Sequence, residues 1–337
     1  MTIRHSLAAL LTLGFFHAAK AGAILDRVRE AQTLRCGVIG EMADENKTDA
    51  HGNLAPLANE ICRAVSVTLF GKDTAKIMLY HVEAEALTAL KSGKVDLVAG
   101  VTPTPRARAV DHIAFGPVIF WDSLAIMAHT EFHIEKIEDI KGKKLCSLDQ
   151  TEAEALASWS LVQHGVRYIP FTFQEEGEME SALLTGHCQA FASSLSKLGE
   201  IRATYGNKVA DTVILPDRLA LLPAAIAYTD DDAAFSAIAD WTVYALVQAE
   251  TLGMTKANIA TFKTSANVLA ERMMGVNPGS AKALGLPPDW AATLIGTLGN
   301  YGEIYDRTVG QGSPMGLARG LNATWANGGL MAPMPLQ

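Results

Sequence analysis

Basic residues are in deficit in this chain: 28 lysines and arginines stand against 36 acids, a formal charge of −8 over 337 residues. A field of that sign opposes phosphate backbones and anionic lipid surfaces, so nucleic acid is excluded as a natural partner. Charge of either sign is sparse, 19% against 49% hydrophobic, which excludes a disordered chain and fits a globular one. No apolar run beyond the N-terminal stretch approaches the roughly 20 residues that a membrane span requires. The chain also lacks a C-x-x-C pair, a nucleotide-binding loop and a Ser/His/Asp order, which removes the usual signatures of zinc sites and of nucleophilic hydrolysis.

Cysteine is scarce too, at four: Cys36, Cys62, Cys146 and Cys188. The N-terminus, MTIRHSLAALLTLGFFHAAKA, has a basic start at Arg4, an apolar core from Leu7 to Phe16 and a small-x-small site at Ala19-Lys20-Ala21. This pattern predicts a secretory signal peptide over residues 1–21. Its removal takes away Arg4 and Lys20 and no acid, so the charge moves from −8 to −10. In an exported chain, four cysteines predict two disulfides. Three pairings are open, and sequence order suggests Cys36 with Cys62 and Cys146 with Cys188.

The stretch Val95 to Phe115, VDLVAGVTPTPRARAVDHIAF, joins a short apolar strand to a proline-stiffened loop. Gly100 is read as the strand's end. Thr102, Thr104, Arg106 and Arg108 follow within seven residues, with Pro103 and Pro105 fixing φ. In open α/β sheets ligands lie beyond the carboxyl ends of strands, and a guanidinium pairs bidentately with a carboxylate. Before this loop the pattern predicts strands at Leu34–Ile39 and Lys76–Val82 and helices at Asn53–Phe70 and Glu83–Ser92. Phe115–Met127 reads as a strand crossing to a second α/β unit. That unit has strands at 145–148, 168–173 and 188–193 and helices at 151–164 and 176–185. Val213–Tyr228 returns the chain, Asp230-Asp231-Asp232 caps a helix over 233–252, and helices are expected at 267–274 and 289–308. A strand-helix alternation repeated in two halves implies an α/β protein with a largely parallel sheet.

Several motifs carry a resemblance: LRCGV at 34–38, ICRAV at 61–65, TALKSGKVDL at 88–97, DIKGKKLC at 139–146, GHCQAF at 186–191, DWTVYALVQAETLGMT at 240–255, NYGEIYDRTVG at 300–310 and RGLNATWANGGLMAP at 319–333. Over nearly the whole mature chain, the sequence resembles the family 3 periplasmic solute-binding proteins of polar and general L-amino-acid ABC transporters. The resemblance implies a two-lobed type II clamshell with two crossover strands. Residues 22–120 and 224–337 would form lobe 1 and residues 121–223 lobe 2. It implies a periplasmic protein, monomeric and without cofactor or enzymatic activity, that closes its hinge on a small carboxylate-bearing ligand and delivers it to a membrane permease. A periplasmic accessory protein and a dehydratase-like enzyme are the alternatives for this fold.

Carried over residue by residue, the resemblance assigns the ligand carboxylate to Arg106, with Arg108 as the register alternative, beside Thr102 and Thr104. A turn at a lobe-2 helix start would add backbone donors; it maps to Asp149, Gln150, Thr151 and Glu152. Here Gln150 replaces a flexible glycine. The family's ammonium-accepting aspartate is Ser194 in GHCQAFASSLS, so an ion pair becomes at best a neutral hydrogen bond. Trp121, at the first crossover, either lines the cleft or packs the hinge. His129 and His133 would share a face only if that segment were helical, and a solvated loop is the preferred reading over a metal site.

Overall fold

A computed structural model describes residues 22–42, 50–51, 54–277 and 279–336, without the side chains of residues 41, 42, 50, 51 and 152. The expected signal peptide, residues 1–21, lies outside the described residues, as do Asn53 and Pro278. The chain begins with Ala23–Ala31 (α1), Leu34–Ile39 (β1) and the short pair Glu41–Met42 (β2) and Ala50–His51 (β3). Ala55–Phe70 (α2), Ala75–Tyr80 (β4), Glu83–Lys91 (α3), Leu97–Val101 (β5) and Pro105–Ala109 (α4) follow, and then the long strand Ile113–His129 (β6). The second unit comprises Lys144–Leu148 (β7), Glu152–Gln163 (α5), Ile169–Phe173 (β8), Glu176–Leu184 (α6), Ala190–Ser194 (β9), Leu195–Tyr205 (α7) and Thr212–Ile214 (β10). Ala220–Thr229 (β11) returns, followed by Ala233–Thr251 (α8), Val268–Met273 (α9), Gly279–Leu284 (α10), Trp290–Leu298 (α11) and Tyr301–Thr308 (α12).

Apart from β2 and β3, which pair with each other, the strands form one sheet in the order β4-β1-β5-β11-β6-β9-β7-β8, with β10 added on β6. Two parallel sets, β4-β1-β5 and β9-β7-β8, flank an antiparallel centre of β11 and β6. Parallel sets need helical crossovers that cover both faces, which is why β5 reads as a continuous apolar run; Leu97, Val98, Ala99 and Val101 are fully buried. The centre is antiparallel because β6 leaves the first set and β11 comes back. Their register places Asp122 opposite Leu222 and Trp121 opposite Pro223.

Side chains at helical spacing fasten α2 to this sheet: Leu57, Ile61, Ala64 and Val65 are fully buried, and each Leu, Ile or Val so buried contributes about 1.5–3 kcal/mol. The carboxylate of Asp232 caps two helices at once. One oxygen accepts from the Phe235 amide at the start of α8, and the other from the Ile24 and Leu25 amides in the first turn of α1. Negative charge at two helix N-termini is doubly favourable, and this places α1 beside α8.

Some expectations are corrected. Strand β5 runs through Gly100 to Val101 instead of ending there; Gly100 takes φ +85°, and a Cβ on it would lie 3.5 Å from that of Ala58, so the strand turns past α2 where only glycine sits without strain. The helix expected over 289–308 is two helices. Asn300 accepts from the Glu303 amide and the Glu303 carboxylate accepts from the Asn300 amide, both at 2.9 Å, a reciprocal cap that starts α12 afresh. The extended stretch expected over 213–228 is two strands, β10 and β11, and helix α7, unforeseen, begins directly at the end of β9.

Both disulfides have the pairing suggested by sequence order: Cys36–Cys62 joins β1 to α2 and Cys146–Cys188 joins β7 to the approach to β9, with Cα separations of 5.9 and 5.7 Å. Each closes a loop, of 26 and 42 residues in sequence separation, and so narrows the unfolded ensemble. Replacing either pair by serine is expected to lower unfolding free energy by about 2–4 kcal/mol in urea titrations, with the larger loss for Cys146–Cys188.

Candidate functional site

The two parallel sets present their carboxyl ends to a common cleft of about 650 Å³, within the range of small-molecule pockets. One wall comes from the β1, β4 and β5 side, including His81, Glu83 and Thr102; the other comes from α6 and α7, including Glu176, Glu180, Ser194, Lys197 and Glu200. Asp122, Leu222 and Ala224 of the crossover strands form the floor.

Asp122 interrupts an otherwise apolar strand and is buried. Its carboxylate accepts from the Ser123 amide (2.8 Å), the Ser196 amide (3.2 Å) and the Ser196 hydroxyl, and a bond from the Leu195 amide adds to these. The donors of Leu195 and Ser196 are the first amides of α7, so the crossover strand caps this helix end with a negative charge. Burial pushes the Asp122 carboxyl up to about 6, with these hydrogen bonds opposing the rise. Ser194, the N-cap of α7, accepts from the Lys197 amide at 3.2 Å and lies 3.1 Å from the Ser196 hydroxyl. A chain of hydroxyls therefore runs from the cleft to Asp122.

Lys197 is committed locally: Glu180, Glu200 and Glu176 oxygens lie 2.9, 3.3 and 3.4 Å from its ammonium. Burial lowers its pKa, but the Glu180 hydrogen bond and the charges of the three glutamates outweigh that and hold it above its ordinary value. Across the cleft, the Glu83 carboxylate accepts the Thr102 hydroxyl at 3.1 Å and the Thr102 amide at 3.2 and 3.3 Å. Burial raises Glu83, with both bonds from Thr102 acting against it.

The structure brings Thr102 and Ser194 of the sequence-predicted residues to the cleft. Thr104 instead caps α4 by accepting the Ala107 amide. Arg106 is exposed on α4 and is absent from the cleft lining, and Arg108 reaches Asp230 at 3.0 Å. Gln150 takes φ +57°, a left-handed backbone that glycine adopts freely and glutamine does not. It is exposed beside Asp149, whose carboxylate also accepts from Gln174. Thr151 caps α5 by accepting the Glu154 amide and donates to the Leu148 carbonyl; Glu152 opens that helix, and its side chain lies outside the described residues. Trp121 packs away from the cleft against the C-terminal tail, its amide donating to Asn322 at 2.7 Å. His129 is buried with Nε2 2.8 Å from the Leu183 carbonyl, and His133 follows a short 3-10 turn, not a shared helical face.

Glu83, Asp122, Glu180 and Lys197 were not foreseen. A lone aspartate inside the apolar run FGPVIFWDSLAIM is the signal for Asp122. The others are indistinguishable in sequence from solvated charges on helices.

A sheet crossed twice at its centre, with a polar cleft between its two sets, is the architecture of a solute-binding clamshell. No family model matches the chain. It is 32% identical over 334 residues to the general L-amino acid-binding periplasmic protein AapJ of Rhizobium johnstonii, covering 98% of this chain and 97% of that one. It is 30% identical over 341 residues to the putative amino-acid ABC transporter-binding protein YhdW of Escherichia coli, covering 100% and 99%. Among solved structures, an ABC transporter periplasmic binding protein from Brucella ovis with glutathione bound aligns with a TM-score of 0.79 at 30% identity over 93% of this chain and 99% of that one. The chain belongs to the periplasmic binding proteins of amino-acid ABC transporters.

The Asp122 environment gives a pH prediction. The folded state holds this proton more tightly than the unfolded chain, whose carboxyl titrates near 3.9. Stability contributed by the site is therefore greatest below about pH 4 and declines as pH rises to about 6. Measured by urea unfolding, wild type should lose about 2–3 kcal/mol relative to Asp122→Asn between pH 4 and pH 7. A difference that is flat in pH would contradict the buried-carboxyl reading.

Proposed function

We propose that the protein is exported to the periplasm by cleavage after residue 21 and there, as a monomer, captures an amino acid or a short amino-acid-derived peptide of the size of glutathione, by hinge closure on β6 and β11. The closed complex delivers its ligand to an inner-membrane ABC permease, and no covalent step is involved. The observation that carries this reading is the cleft itself: it is built from both parallel sets, is floored by the two crossover strands, and has a volume in the range of small-molecule pockets. The amino-acid and glutathione descriptions of the relatives support the ligand class.

The ligand's carboxylate is assigned to Arg106, beyond the end of β5. Among the described residues its guanidinium makes no ion pair, whereas Arg108 is held by Asp230. The carboxylate is completed by the α5 start, where Gln150, Thr151 and Glu152 stand, and by the hydroxyl of Thr104; Thr102 lines the same wall with its hydroxyl given to Glu83, and Ser194 stands on the opposite wall.

Calorimetry with the twenty L-amino acids and glutathione tests the reading. At least one should bind saturably and, at 100 times its Kd, stabilise the fold by about 2.7 kcal/mol. Arg106→Ala should then weaken that ligand by about 2–5 kcal/mol, while Arg108→Ala leaves affinity near wild type. Equal affinity in Arg106→Ala would remove Arg106 from the site.

A further inference from the structure

Five described carboxylates line the cleft, those of Glu83, Asp122, Glu176, Glu180 and Glu200. They differ in how much of their bonding capacity is used. An ionised carboxylate accepts at about four positions. Asp122 receives four donors: the Ser123 amide, the Ser196 amide and hydroxyl, and the Leu195 amide. Glu176, Glu180 and Glu200 share one cation, Lys197, whose three N–H donors they take up; Glu180 also accepts the Tyr205 hydroxyl. Each of these four carboxylates has either its acceptor positions filled, as Asp122 does, or a cation in contact, although one lysine answers the three glutamate charges only in part.

Glu83 is different. It is held by one residue, Thr102, which supplies two donors, and the Thr102 amide is spread over both oxygens at 3.2 and 3.3 Å. No cation among the described residues pairs with it, and burial raises its pKa with only Thr102 opposing. A half-buried carboxylate with half its acceptor positions open and no counter-charge is unfavourable in the empty protein. Its rigid tether aims it at the cleft that it lines.

From this geometry we infer that Glu83, on the β4–α3 connection, is the acceptor for the ligand's cationic nitrogen, taking the part that the neutral Ser194 on the opposite wall does not supply. The inference rests on the proposed capture of an amino-acid-derived ligand and adds which wall reads its charge. An ammonium supplies three N–H donors and a full positive charge, so it answers the open positions and the missing counter-charge together. The surplus of acid over Lys197 in the cleft draws the same sign of charge inward. A ligand with a carboxylate directed at Glu83 meets the opposite response, because the Thr102 donors that would receive an anion are already occupied.

The test uses the full mature chain and calorimetry. The panel of L-amino acids and glutathione is titrated into wild type, and the tightest member is compared with its analogue in which the α-ammonium is replaced by hydrogen, such as glutarate for L-glutamate. Both probes are then titrated into Glu83→Gln, which keeps the shape and an acceptor for the Thr102 amide. The expected result is a roughly tenfold to hundredfold loss of the ammonium-bearing probe in Glu83→Gln, the range of one charged hydrogen bond, with the analogue's affinity unchanged. Glu83→Asp, which retains charge, should keep the preference for the ammonium-bearing probe and serves if Glu83→Gln lowers the melting temperature enough to obscure binding. Equal losses for both probes, or no loss for either, would overturn the assignment of Glu83 while leaving ligand capture intact. Failure of every panel member to bind wild type would overturn the capture of amino-acid-derived ligands, and this assignment with it.

Discussion

The antiparallel pairing of β6 with β11 is the constraint on which the rest of the molecule depends. Without it there are two small parallel sets, each closed by its own disulfide; with it they become one sheet with a cleft across its middle. The C-terminal segment reinforces the same place from behind. Asn322 accepts from the Trp121 amide and donates to the Trp121 carbonyl, and the Tyr301 hydroxyl donates to the Ile119 carbonyl. The crossover strand is therefore braced on the face opposite the cleft.

Asp122 links the crossover strand to the second wall of the cleft. A buried carboxylate in a crossover strand is costly unless hydrogen-bonded, and its donors are the opening amides of α7 and the Ser196 hydroxyl. That coupling fixes where Ser194 and Lys197 stand relative to the floor. Lys197 in turn collects three glutamates, so the second wall is internally neutralised in part and rigid. Glu83 on the first wall has, among the described residues, neither a cation in contact nor its acceptor positions filled. The charge that recognises a ligand is in this way separated from the charges that hold the scaffold together.

The strand-helix alternation was legible because its signals are local. β-branched runs mark Leu34–Ile39 and the segment ending at Val101, glycines close α2 and α3, and the two crossovers are long apolar stretches without helical caps. The cysteine pairing followed from sequence order. The break between Leu298 and Tyr301 was missed because a reciprocal Asn300–Glu303 cap overrides continuous apolar periodicity. Helix α7 was missed because its cap, Ser194, was read as a position facing a ligand. It both lines the cleft and caps the helix.

The site was less legible than the fold, for a physical reason: whether a charge is structural or free depends on what other segments bring to it. Nothing in the local sequence distinguishes Glu83 from Glu85 until Thr102 arrives from β5, or Lys197 from a solvated lysine until α6 packs against α7. The motif-based assignment found Thr102 and Ser194 in the cleft but left Arg106 on an exposed helix outside its lining. In the proposed function the molecule closes its two halves around β6 and β11 when a ligand fills the cleft. Small-angle X-ray scattering of the mature protein, free and with saturating amounts of its tightest calorimetric ligand, tests this most directly. The account predicts a smaller radius of gyration in the bound state; identical scattering profiles in a sample shown to be saturated would contradict it.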